Sequence, residues 1–281
     1  MPQPVSPRGY RQVIHRSWLG SLVRTWMRAG HVLRHFAPRL KIGARWIVQS
    51  REVTNFTYDV TARNKLHLAH GIALATGASA AEVRRLFGEL EVDGDLRAVI
   101  SSRVRASDLG YAADERMDYG RRLGWYAAAR VLKPGVVVET GVDKGLGSVV
   151  LCAALLRNGV EGSPGRYYGT DFNPNAGYLL EPPYSTVGEI LYGDSLASLA
   201  RFRQPIDLFI NDSDHSAEYE GKEYECIKTK LSAHALILGD NAHVTDELLR
   251  FSEAQGRRFL FFKEEPKGHW YPGGGLGISF R

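Results

Sequence analysis

From residue 136 onward, short apolar runs alternate with helix-length segments, and no other feature limits the fold as tightly. The runs are 136-VVVET-140, 166-RYYGTD-171, 188-GEILYGD-194, 206-IDLFIND-212, 234-HALILGD-240, 258-RFLFFKE-264 and 275-GLGISF-280. Near-continuous apolar strands separated by helices are buried on both faces, which implies a mostly parallel sheet with helices on either side. No helix-length segment separates the last two runs, so they are expected to pair antiparallel at the end of a seven-stranded α/β sheet. A helix over 115-ERMDYGRRLGWYAAARVL-132, closed by Pro134-Gly135, leads into the first strand and places the sheet domain at 115–281.

Residues 1–114 read as a mostly helical, basic N-terminal extension. Its clearest segment is 79-SAAEVRRLFGEL-90, where Ser79 and Glu82 form a capping-box pattern before Val83, Leu86, Phe87 and Leu90 at helical spacing. Residues 1–50 hold nine bases and no acid, leaving 27 bases against 31 acids in the rest of the chain. The basicity is therefore local, and the body is not shaped to grip nucleic acid. Trp18, Leu22 and Trp26, then Val32, Leu33 and Phe36, mark an apolar face beside those arginines. Such a face can serve as a lid, a homo-oligomer contact or a peripheral membrane dock, or simply pack on its own protein.

Composition otherwise excludes little. With 44% apolar and 24% charged residues the chain reads as an ordinary soluble protein. Cys152 and Cys226 show neither paired nor metal-type spacing, which fits a reducing, cytoplasmic setting. No apolar run approaches the roughly 18–20 residues of a membrane span.

The strand ends carry the chemistry. The first runs into 139-ETGVDKGLGS-148, where Gly141, Gly145 and Gly147 let the backbone turn tightly against a ligand just before a helix N-terminus. This is not the dinucleotide pattern G-x-G-x-x-G. Asp171, at the tip of the second strand, is placed to accept from both hydroxyls of a ribose. The third strand ends in Asp194-Ser195, a polar pair able to reach an adenine edge. The fourth ends in 212-DSDHS-216 and the fifth in Asp240-Asn241, so Asp212 or Asp214 should face Asp240 and Asn241 across a short gap. Two carboxylates at one rim repel unless something positive lies between them. Two carboxylates, an amide and waters form an oxygen set that suits Mg²⁺. Neutralisation by arginine or lysine would remove that reason for a metal.

E-x-G-x-x-x-G-x-G over residues 139–147, followed by an acid after the second strand, resembles the S-adenosylmethionine-dependent methyltransferases of the Rossmann-like class. The resemblance implies that Glu139 and the Gly141–Gly147 loop, with Ser148 behind it, hold the methionine end of the cofactor. Asp171 would then take the ribose, and Asp194 and Ser195 the adenine. The acid on strand four followed by Asp-Asn on strand five is similar to the cation-dependent O-methyltransferases of the catechol and caffeoyl-coenzyme-A type. The 212-DSDHS-216 wording is closer to the macrocin-type sugar O-methyltransferases. That resemblance implies Asp212, Asp240 and Asn241 as metal ligands, with Asp214 a further candidate.

Where the catechol-type enzymes place a lysine, this chain has His215, and histidine is a residue type suited to a general base. His243 is a second candidate for ligand or base, and His269 with Trp270 and Tyr271 a candidate substrate contact. The implied activity is Mg²⁺-dependent methylation of a hydroxyl on a sugar, a glycosylated metabolite or another small molecule. Its rivals are a methyltransferase with a different acceptor, a nicotinamide-dependent oxidoreductase, and a membrane- or nucleic-acid-binding protein with a degenerate catalytic domain.

Overall fold

The computed structural model describes residues 18 to 281 apart from position 54, so Arg8, Arg11 and Arg16 of the basic segment lie outside the described residues. Contacts divide the chain into two compact units, 1–50 and 51–281. The described part of the first is one helix, α1 (Trp18–Gln49), with Pro38 inside it.

The second unit starts at Arg51, well before the boundary drawn at 114/115. The reason is packing. Helices α2 (Ala62–Thr76), α3 (Ala80–Glu91) and α4 (Gly94–Ala106) each bury an apolar row in the core that also covers the sheet. In α3 the row is Val83, Leu86, Phe87 and Leu90, and the Ser79 side chain accepts from the Glu82 N–H, so that cap is met. Thr61 and Asp93 cap α2 and α4 in the same way.

The next helix, α5 (Arg122–Leu132), starts seven residues later than its periodicity suggested. Gly120 breaks it: the residue sits at φ 50°, and a side chain there would press on the Tyr58 carbonyl. Then follow β1 (Val136–Thr140), α6 (Leu146–Val160), β2 (Arg166–Asp171), β3 (Gly188–Tyr192), α7 (Ser195–Arg201), β4 (Ile206–Asn211), α8 (Ala217–Ile227), β5 (Leu231–Gly239), α9 (Glu247–Ala254), β6 (Arg258–Lys263) and β7 (Gly275–Phe280).

These strands form one sheet in the order β3-β2-β1-β4-β5-β7-β6, with the first five parallel and β7 antiparallel to both of its neighbours. The expected Rossmann-like sheet and its antiparallel C-terminal end are both present. Side chains alternate across it. Val137, Leu208, Leu236 and Ile278 pack towards α2–α6, while Val136, Val138, Phe209 and Ile237 meet Tyr224 and Ile227 of α8 and Leu248 and Phe251 of α9. Strand order reverses between β1 and β4, and that switch point opens a crevice at the carboxyl edge.

Candidate active site

The strand tips are tied together one residue beyond the ladder. Gly141 N–H donates to the Thr170 carbonyl (2.9 Å), Asp212 N–H to Thr140 (2.8 Å) and Asp240 N–H to Asn211 (2.7 Å). These bonds set Asp212 and Asp240 side by side on adjacent parallel strands. Gly141 (φ 80°) must be glycine, since a Cβ would enter the Asp212 backbone. The first turn can pass beneath the β4 tip only without a side chain.

Above these tips lies a cavity of about 820 Å³. Of the residues expected at the site, Gly141, Asp171, Asp194, Ser195, Asp212, Asp214, His215, Asp240 and Asn241 line it. Asp171 accepts from the Val142 and Asp143 N–H groups through one oxygen (3.0 and 2.9 Å) and from Asn173 N–H through the other (2.8 Å). It thereby fixes the glycine loop while facing the cavity, and Oδ1, which accepts only once, keeps a lone pair for another donor. Asp194 caps α7 through the Ala197 N–H and accepts from the Tyr219 hydroxyl (2.5 Å), a bond that lowers its pKa.

Glu139, Gly145, Gly147 and Ser148 do not reach the cavity. The Glu139 carboxyl is buried behind the loop, accepting from Tyr167 (2.5 Å) and Ser148 (3.3 Å). Burial raises its pKa to about 7 against the pull of Tyr167 and Arg122. A Cβ at Gly147 would collide with Glu139 and Trp125. These residues shape the loop from below rather than touching what it holds.

At the β4–β5 rim the oxygens of Asp212 and Asp240 and a ring nitrogen of His215 lie within 4.8 Å of one another. The positive charge between the carboxylates, however, belongs to the protein. Arg121 donates through Nη2 to Asp240 Oδ2 (2.5 Å) and presents Nε to Oδ1. It also reaches Asp212 (4.0 Å) and Glu264 (3.8 Å). The repulsion argument for a metal is thus answered in large part by a guanidinium. Burial pushes Asp240 upward, but Arg121, the hydrogen bond from Asp212 and the charge of Arg122 together hold that carboxyl below its usual range. Asp212, largely buried beside that negative charge, is pushed well above its usual range and bonds to Asp240.

Asn241 sits at φ 51°, a conformation asparagine tolerates. Its amide nitrogen faces His215 Nε2 at 3.0 Å. The oxygen points towards Gly274, so ligating a cation at this rim requires a half-turn of the amide. His215 Nε2 is 3.8 Å from Asp212, and its Nδ1 has no hydrogen-bond partner. Asp214 is exposed, holds the turn into α8 through the Ser216 N–H (2.8 Å), and lies outside the cluster that can share an ion. His243 is exposed, outside both that cluster and the cavity wall. His269 and Trp270 join Phe56, Tyr58 and Tyr271 in an aromatic cluster away from the cavity wall.

Four participants went unread in the sequence. Arg121 and Arg122 stand at the N-terminal end of α5, where the helix dipole disfavours cations. Two adjacent arginines there, before the buried run Trp125–Ala129, signal an acidic partner. Glu223 falls on the buried face of α8 with Tyr224 and Ile227. It accepts from Asn211 (2.5 Å), Ser213 (2.7 Å) and Thr140 (3.2 Å), and from Ser195, and so clamps three strand-end segments beneath the cavity. Phe172, 86% exposed, projects at the lip beside Asp171.

Comparison with known proteins agrees with this architecture. Residues 138–242 match a family model described as a methyltransferase domain. No curated protein matches the chain. Among solved structures, cofactor-bound Rv0187 from MTB superposes with a TM-score of 0.52 at 15% identity, covering 67% of this chain and 90% of that one. An O-methyltransferase from Bacillus cereus in complex with SAH gives 0.51 at 14% identity, covering 66% and 91%. The O-methyltransferase TomG from Streptomyces achromogenes, in complex with SAM, gives 0.50 at 16%, covering 65% and 88%. At such identities the likeness is one of fold. Family match, strand order and the crevice at the switch point agree: residues 138–242 are similar to a methyltransferase domain, and the sheet that holds them has the Rossmann-like fold.

Proposed function

We propose that this protein is an S-adenosylmethionine-dependent O-methyltransferase acting on a hydroxyl of a saccharide or similar small metabolite. One observation carries the reading: a single cavity gathers Asp171, Asp194, Asp212, His215 and Asp240 from successive strand ends. Asp171 would accept from the ribose hydroxyls, with Phe172 offering a ring face to the base and Asp194 and Ser195 its polar edge. Arg122 lines the cavity with its Nε unpartnered, stacked 5.3 Å from the Trp125 ring, and would pair with the carboxylate of the methionine tail. The likeness to O-methyltransferases in complex with SAH and SAM supports this arrangement.

The cofactor brings a methyl group on a sulfonium, and the protein supplies alignment and a proton acceptor. His215 takes the acceptor's hydroxyl proton on a ring nitrogen, and the Asp212–Asp240 pair stabilises the resulting imidazolium. Mg²⁺ would be held by Asp212, Asp240 and Asn241, and would lower the pKa of a hydroxyl bound to it. The donor set fits in type, with Arg121 as a competitor for Asp240. The guanidinium on both Asp240 oxygens favours a second reading, in which transfer proceeds without a cation.

The test is transfer from labelled S-adenosylmethionine to a panel of vicinal-diol saccharides and catechols, with and without EDTA. Label in an ether product supports O-methylation, and its loss to EDTA with recovery on adding Mg²⁺ supports the metal. Activity untouched by EDTA supports the second reading. Label on nitrogen or carbon overturns the proposal.

A further inference from the structure

The cleft leaves α1 unexplained. Trp18, Leu22, Trp26, Leu33, Phe36 and Leu40 are each between 50% and 81% exposed. At 3.6 residues per turn they fall within a sector of about 80°. Arg24, Arg28, Arg34, Arg39, Lys41 and Arg45 all fall on the remaining arc, and the helix contains no acid. An apolar row of this width in water calls for a partner.

We propose that α1 is a membrane-surface helix that seats the protein on an anionic lipid bilayer. Charge and apolarity together select this occupant. A second copy of the helix would cover the tryptophans, but it would set two cationic arcs beside each other with no acid to relieve them. A nucleic acid would satisfy the arginines and leave the row of Trp, Leu and Phe in water. A bilayer interface takes both: the rings and leucines enter the headgroup boundary while the cations meet anionic headgroups. The helix lies on the surface rather than crossing it. No helix among the described residues is long and apolar enough to span.

The experiment uses the full chain and sedimentation with vesicles of phosphatidylcholine alone or with about 30% phosphatidylglycerol, the anionic fraction needed for a surface potential. Binding to the anionic vesicles, weakened by high salt and near absent on the neutral ones, is expected. Arg28→Gln and Arg39→Gln should each lower partitioning about fivefold, and Leu22→Ser/Leu33→Ser should abolish it while leaving secondary structure unchanged. Equal binding to both vesicles, or binding to neither by folded protein, overturns the proposal. So does a helix-dependent dimer in the absence of lipid, or retention on RNA without retention on vesicles. None of these outcomes bears on methyl transfer, so the two readings stand or fall separately.

Discussion

Arg121 and Asp240 form the buried ion pair at the centre of the carboxyl edge, with Nη2 2.5 Å from Oδ2 and the whole pair under a tenth exposed. The guanidinium arrives from the segment before α5 and the carboxylate from the tip of β5, so the pair joins two walls of the cavity. Removing the arginine strands a buried acid. Arg121→Met should cost about 3–5 kcal/mol in urea unfolding, and the double variant with Asp240→Asn should regain part of it. Additive losses would show that the two groups do not act as a pair.

The same arginine bears on the metal. If Arg121 and Mg²⁺ compete for Asp240, Arg121→Gln should bind Mg²⁺ more tightly than the natural chain, read as a larger rise in Tm with added MgCl₂. No rise in either protein would remove the cation from this rim.

Arg122 lines the cavity with its Nε unpartnered. A charge-assisted bond to a carboxylate contributes about 1.5–3 kcal/mol, roughly tenfold or more in affinity. Arg122→Met should therefore weaken S-adenosylhomocysteine by at least about tenfold and leave 5′-methylthioadenosine, which lacks the amino-acid tail, unchanged. Equal losses for both ligands would assign Arg122 to structure.

Glu139 makes stability depend on pH in a definite direction. Its pKa lies near 7 in the fold against 4.5 for an ordinary glutamate. Between those values the folded chain holds a proton that the unfolded chain has released, so stability is greatest below the lower value and falls as pH rises through the upper one. The difference is on the order of 2–3 kcal/mol. Urea unfolding at pH 5 and pH 8 should show a larger loss for the natural chain than for Glu139→Gln. Identical losses would mean that Glu139 titrates normally.

Much of this was legible in the sequence, for physical reasons. Strand-length, near-continuous apolar runs between helix-length segments located all seven strands, because a doubly covered sheet leaves few places for a polar residue. The acids at the strand tips were legible because turns and ligands both recruit them there. Several strands end one or two residues before those acids, so Asp194, Asp212 and Asp240 stand on the loops, where a cavity can use them. What stayed hidden is non-local. Arg121 is 119 positions from Asp240 and looked like the polar side of a helix that starts only at Arg122. Glu139 carries a familiar motif, yet its carboxyl points to Tyr167 and Ser148, a direction that no spacing encodes.

The most direct measurement is calorimetric titration of the full chain with S-adenosylhomocysteine, repeated on Asp171→Ala. One molecule bound per chain, weakened about tenfold to a hundredfold by loss of the Asp171 carboxylate, is expected. Absence of binding by folded protein, or a preference for NADH over S-adenosylhomocysteine, would contradict the assignment of this crevice to a methyl donor.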